Sequence, residues 1–229
     1  MNKVDGLHHI AICTADMKAQ IEYCTDVLGM ELVALYWMHG VANTWHGFLR
    51  LNDESSIAFV HNPGIATIAV ELGKTHAGNP GGTSARGTMQ HVALRVKDEA
   101  ALLAMRDRIR SRGIPVLGPL DHGMCTSIYF AGLENLALEL SYSTEPIDAK
   151  AWIDPEVQAL AGISAADLTR YTRSSDFRDR SGAVPQPDLD GPGPHMTNYP
   201  QPELYRMMMG LSDADLTGIV EREPPVKVT

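Results

Sequence analysis

The chain lacks most of the features that assign a protein quickly. Only three of its 229 residues are cysteine, Cys13, Cys24 and Cys125, an odd number without the spacing of a metal knuckle. They read as the reduced thiols of a cytosolic protein, not as a disulfide framework. Basic residues are outnumbered, 19 Lys and Arg against 28 Asp and Glu, giving a net charge of −9. That deficit argues against nucleic acid, which needs a basic footprint, and against an anionic membrane surface. No apolar run approaches the roughly 18 residues of a spanning helix, and Met1-Asn2-Lys3-Val4-Asp5 lacks the apolar core of a secretion signal. A small-molecule partner is the class left standing.

What the chain does have is a short internal repeat. Leu7-His8-His9-Ile10-Ala11-Ile12 superposes on Met89-Gln90-His91-Val92-Ala93-Leu94 and puts His9 on His91. Both copies alternate as half-buried strands do, and both lead into an acidic residue and a helical stretch. The first copy opens a module with a strand at 7–13 and a helix from about Met17 to Leu28, capped by Asp16 and closed by Gly29. Strands at 31–38, 44–51 and 56–61 follow. After a connector over 62–89, containing one apolar run from Ile65 to Leu72, the order recurs: strand 90–96, helix 98–112 ended by Gly113, then strands 114–117, 125–131 and 136–142.

The expected fold is therefore α+β, with paired βαβββ modules (6–62 and 89–145) curled into one open mixed-sheet barrel whose cavity holds both imidazoles. Residues 1–148 form that domain and 149–229 a helical and loop extension. In the extension, Pro155-Glu156 with Gly162 and Ser164 is echoed by Pro202-Glu203 with Gly210 and Ser212, across a Pro/Gly-rich loop at 182–202. Each copy predicts a helix, a glycine stop and a serine cap for the next helix. Packing, a lid or a subunit contact is the role expected for it.

The chemistry centres on Glu139, an acid between Leu138 and Leu140 in a core strand. Such a charge is costly unless matched, and a metal ion would match it. Two neutral imidazoles and one carboxylate on inward strand positions make a facial triad, whose open positions suit Fe(II) binding substrate and dioxygen together.

With His9, His91 and Glu139 in place, the paired modules resemble the vicinal-oxygen-chelate superfamily over roughly residues 6–145. His122, five residues, Ile128-Tyr129 and then Glu139 resemble the signature of its type I extradiol ring-cleaving dioxygenases. The resemblance implies that His9, His91 and Glu139 ligate Fe(II), with Mn, Ni or Zn as alternatives. It also implies that His122 and Tyr129 hydrogen-bond the catecholate and the oxygen-derived intermediates. The partners would be a small aromatic diol and dioxygen, in a homo-oligomer.

The chain also departs from the pattern. The family's Asp-Pro-x-Gly-Asn turn is here Ala131-Gly132-Leu133-Glu134-Asn135, and its acid–base histidine is replaced around Ser55-Ser56, with His46 and His61 nearby. Lyases and isomerases of the glyoxalase kind add a fourth, carboxylate ligand, which here falls near Ala58. If 65–72 were the fourth strand, Glu71 would supply it and the lyase alternative would gain. A third class, binding proteins of the antibiotic-resistance kind, commonly lacks the triad. Tyr36, Trp37 and Trp45 are candidates to line an aromatic pocket.

Overall fold

Alternation along each strand decides which side chains enter the core, and the caps decide where the helices begin. The computed structural model describes residues 4–173, 182, 184–199 and 201–227. Strand β1 (His9–Cys13) sends Ile10 and Ile12 inward and leaves His9, Ala11 and Cys13 exposed. The Asp16 carboxylate accepts the Ala19 N–H at 3.0 Å and starts α1 (Met17–Glu22). The helix then widens into a π-helical segment at Tyr23–Val27 before Gly29 ends it with φ +74°. Strands β2 (Glu31–Trp37), β3 (Trp45–Arg50) and β4 (Ser56–His61) complete a sheet ordered β1-β4-β3-β2, in which only β1 and β4 run parallel.

The second module repeats the plan. Strand β5 (Val92–Arg95) leads to α2 (Glu99–Ser111), capped by Asp98 and closed by Gly113 at φ +78°. Strands β6 (Val116–Asp121), β7 (Thr126–Ala131) and β8 (Ala137–Tyr142) follow, in the order β5-β8-β7-β6. The paired βαβββ plan read from the sequence is thus present as two open, four-stranded mixed sheets. One run differs from expectation. The second strand of the second module begins at Val116 and continues to Asp121, because a register shift between Leu117 and Leu120 carries it past Gly118. The 62–89 segment is a connector as expected: Ile65–Thr67 make one 3₁₀ turn, and the alternative strand at 65–72 does not form. The fourth-strand position belongs to β4, which pairs with β1 on one side and β3 on the other.

Both modules share one core. Met17, Leu49, Ile57 and Phe59 of the first meet Leu94, Leu102, Ile109, Ile128 and Leu140 of the second, each buried. Burying one such large side chain is worth about 1.5–3 kcal/mol. Polar clasps fix the docking. Glu134 accepts from the Ala15 N–H at 2.7 Å and from the Gln20 side chain at 2.8 Å. Arg108 donates to the carbonyls of Thr25, Asp26 and Val27, the acceptors left over where the first helix ends. Gly29 is needed there twice over, for its positive φ and because a Cβ would meet Arg108 Nη1 at 2.8 Å. The consequence reaches the function: the apolar faces of both sheets turn toward the common core, so their histidine-bearing faces turn away from it. The expectation that one cavity within the chain holds both imidazoles is corrected on this ground.

Beyond β8 come α3 (Ala149–Trp152), α4 (Pro155–Leu160), α5 (Ala165–Tyr171), α6 (Pro202–Met209) and α7 (Asp213–Ile219). Ser164 and Ser212 cap α5 and α7 as expected, and each serine hydroxyl also donates to the carboxylate three residues on. The chain divides into two compact bodies: one contains both modules and runs on through α5, while the other contains Met38–Ala42, α6 and α7. Among the described residues, no helix is long and apolar enough to cross a membrane.

The Glu134 clasp is testable by equilibrium unfolding in urea. Gln20 is only 1% exposed. Glu134→Ala strands its amide without an acceptor, and the expected loss is about 1–3 kcal/mol with the m-value unchanged.

Candidate metal centre

The strand registers put the repeated positions into correspondence. In the first sheet Ala11 pairs with Ala58, which lies opposite Phe48. In the second, Ala93 pairs with Glu139, which lies opposite Tyr129. His9 and His91 each precede their alanine by two residues and therefore share its face. So His9 matches His91, Ala58 matches Glu139, and Phe48 matches Tyr129. The carboxylate and the phenol occur once, both in the second module.

On the second sheet the expected groups meet. His91 Nε2 lies 3.0 Å from Glu139 Oε2, and Glu139 is 5% exposed. The Tyr129 hydroxyl is 2.9 Å from His122 Nε2. His122 sits in the turn after β6, where Gly123 adopts φ +81° and a Cβ would meet the Trp152 ring of α3 at 2.8 Å. Burial, and then the negative charge of Glu139, raise the pKa of Tyr129. The phenol therefore stays protonated through neutral pH.

On the first sheet His9 stands apart from this group. Its ring is 5.4 Å from Phe48, and its Nδ1 is 2.8 Å from Nδ1 of His8. Among the described residues, no three His, Cys, Asp or Glu side chains gather closely enough to hold a metal ion. The chain thus brings together two of the three expected ligands, His91 and Glu139, with His122 and Tyr129 beside them, and carries His9 on the other sheet. An imidazole next to a buried carboxylate is a donor set that fits a divalent metal, whose charge would match that of Glu139.

The alternatives read from the sequence separate cleanly. Glu71 lies in an exposed loop outside β4 and pairs with Lys74 at 2.6 Å, so the strand that would make it a fourth ligand does not exist. His61 faces the core side, with Nδ1 3.1 Å from the Thr14 carbonyl and its ring 5.0 Å from Trp45. His46 shares the His9 face, with ring centroids 5.7 Å from Phe48 and 5.9 Å from Tyr36. Its Nε2 is buried without a hydrogen-bond partner, and burial, then the charge of His9, lower its pKa. Of the three aromatic candidates, Tyr36 belongs to this cluster, Trp45 packs on the core and Trp37 is 68% exposed. The His46 cluster was readable from the alternation of His46, Phe48 and Arg50 with the core-facing Trp45 and Leu49. A separate cavity of about 680 Å³ lies between β1, the connector and Leu136, and neither His91 nor Glu139 lines it.

The Tyr129 environment gives a titration prediction. In ultraviolet difference titration of the protein against Tyr129→Phe, this phenol ionises at higher pH than free tyrosine. Glu139→Gln removes the charge but not the burial, so the midpoint falls part of the way back. An unchanged midpoint would rule out coupling between the two groups.

Comparison with known proteins extends this picture. No curated protein matches the chain. Solved structures that resemble it include a glyoxylase/bleomycin resistance protein/dioxygenase domain from Frankia sp. EAN1pec, at 15% identity and TM-score 0.49, covering 62% of this chain and 99% of that one. TnmS3, an antibiotic binding protein from Streptomyces sp. CB03234, aligns at 14% identity and TM-score 0.45, covering 63% and 100%. A mutant fosfomycin resistance protein, FosX, from Listeria monocytogenes, complexed with Mn(II), aligns at 15% identity and TM-score 0.44, covering 65% and 99%. A family model matches residues 6–140, which span both modules and every candidate ligand. On that match the chain belongs to the Glyoxalase/Bleomycin resistance protein/Dioxygenase superfamily.

Proposed function

We propose that this protein is a non-haem Fe(II) enzyme that opens the ring of a catechol-type diol with dioxygen, at a site completed by two copies of the chain. The observation that carries the reading is the single carboxylate: Ala58 occupies in the first sheet the position that Glu139 occupies in the second. That supports a donor set of His9, His91 and Glu139, which would leave open positions for two reactants. With four protein ligands the glyoxalase-like alternative would be favoured, and neither Ala58 nor Glu71 supplies the fourth.

His9, His91 and Glu139 would hold Fe(II), which would supply the redox chemistry that couples a diol to dioxygen. The remaining work falls to side chains of the chain. Tyr129, kept protonated, is a hydrogen-bond donor for a diol oxygen beside the His91–Glu139 pair, and His122 orients that phenol from 2.9 Å. Holding the reacting groups in fixed geometry is where most of the rate would arise. Within one chain the two histidine faces look away from the shared core, and this supports a dimer in which His9 of one copy completes the His91–Glu139 pair of another.

Two measurements test the reading. Anaerobic reconstitution with Fe(II), followed by catechols and air, gives oxygen uptake and a yellow ring-fission product. Tight Zn or Ni binding with no oxygen uptake on any diol would sink the reaction. For the shared site, His9→Ala and Glu139→Ala each lose metal and activity alone, while subunit exchange between the two inactive variants restores part of both. A site contained in one chain would recover nothing on mixing.

A further inference from the structure

We propose that Gln90 is a positioning residue that fixes the tautomer of His91, and that the connector turn at 79–82 fixes Gln90. This rests on the metal-site reading above. The Gln90 side-chain nitrogen donates to two backbone carbonyls, those of Pro80 and Gly82, the latter at 3.2 Å. An amide nitrogen only donates, so these two acceptors settle which end of the Gln90 amide is which. The amide oxygen is left facing His91 Nδ1, with which it makes a close hydrogen bond. That oxygen only accepts, so Nδ1 carries the hydrogen. In the neutral ring the lone pair then sits on Nε2, the atom 3.0 Å from the Glu139 carboxylate. Two acceptors facing each other at that distance repel until a cation, either a proton or a metal ion, comes between them. The pair is therefore set in advance to hold a cation, with Nε2 as the atom offered to a metal.

The turn that does this is itself constrained. Asn79 accepts the Gly81 N–H at 2.9 Å through its side chain, and its carbonyl accepts the Gly82 N–H at 3.1 Å. Gly82 tolerates no side chain, because a Cβ there would collide with the Ala77 carbonyl oxygen. The first module carries the same device in altered form. His8, at the position matching Gln90, hydrogen-bonds Nδ1 of His9 at 2.8 Å. An imidazole nitrogen can donate or accept, so His8 leaves the tautomer of His9 open where Gln90 closes that of His91.

The test pairs a spectroscopic readout with a binding one. Long-range ¹H–¹⁵N spectra of the metal-free protein report the tautomer of His91 directly, with His91→Gln assigning the signal. Wild type shows hydrogen on Nδ1. Gln90→Met removes the acceptor, shifts the ring toward the other tautomer and weakens Co(II) binding, measured by calorimetry, by about 10–100-fold. Gln90→Glu keeps an acceptor for Nδ1 but loses both donations to the turn, and holds tautomer and Co(II) affinity close to wild type. If the Met and Glu variants weaken equally, or the tautomer does not respond to Gln90→Met, the inference is overturned. Should Gln90→Met fail to fold, Gly82→Ala disturbs the same carbonyls from the other side, and an unshifted His91 signal there overturns it as well. Wild type with the expected tautomer but no Co(II) binding would refute the metal site and leave the positioning role standing.

Discussion

A carboxylate in a core strand constrains everything around it. Glu139 is flanked by Leu138 and Leu140, both buried in the core that joins the modules. Because successive residues of a strand take opposite faces, committing those leucines inward commits Glu139 to the other face. Its surroundings there are His91, Ala93 across the parallel ladder and Tyr129 across the antiparallel one. With 5% of its surface exposed, it keeps little water, and the matching charge has to come from its neighbours or from an ion they hold. The imidazole, the protonated phenol and the outward aspect of the sheet follow from where that one acid must lie.

Much of this was legible in the chain. The repeat around His9 and His91 gave the order of elements in both modules, and Gly29 and Gly113 marked both helix ends where positive φ is required. The register then aligned Ala58 with Glu139, as the sequence superposition had it. What was not legible was the placement of one sheet against the other. Periodicity assigns each side chain to a face of its own sheet, but the docking depends on contacts such as Ala15 with Glu134 and Thr25 with Arg108, far apart in sequence. No local pattern announces them.

The turn at 131–135 shows how a departure from a family pattern acquires a physical role. Glu134 has φ +53° and Asn135 φ +63°, in a region costing a non-glycine residue roughly 1–2 kcal/mol. The Glu134 carboxylate offsets that strain by accepting the Ala15 N–H ahead of α1 and by satisfying the buried Gln20 amide. A glycine in the same place would relax the backbone and lose the clasp. The substitution reads as loss when only the turn is considered, and as gain once the neighbouring module is included.

Pseudo-symmetry here has been divided into two different faces. The second sheet concentrates hydrogen-bonding and charged groups, with His91, Glu139 and Tyr129 in contact and His122 at the rim. The first keeps its histidine but replaces the acid with Ala58 and the phenol with Phe48. It adds Tyr36 and His46, so that rings cover the floor. The two faces are complementary: one can hold and polarise a polar group, the other can pack an aromatic ring and present an imidazole. Neither face alone offers both. If two copies bring unlike faces together, as proposed, the loss of the acid from the first module is what allows a ring to lie against it, and the division between the modules sets both the ligand count and the kind of substrate the site can take.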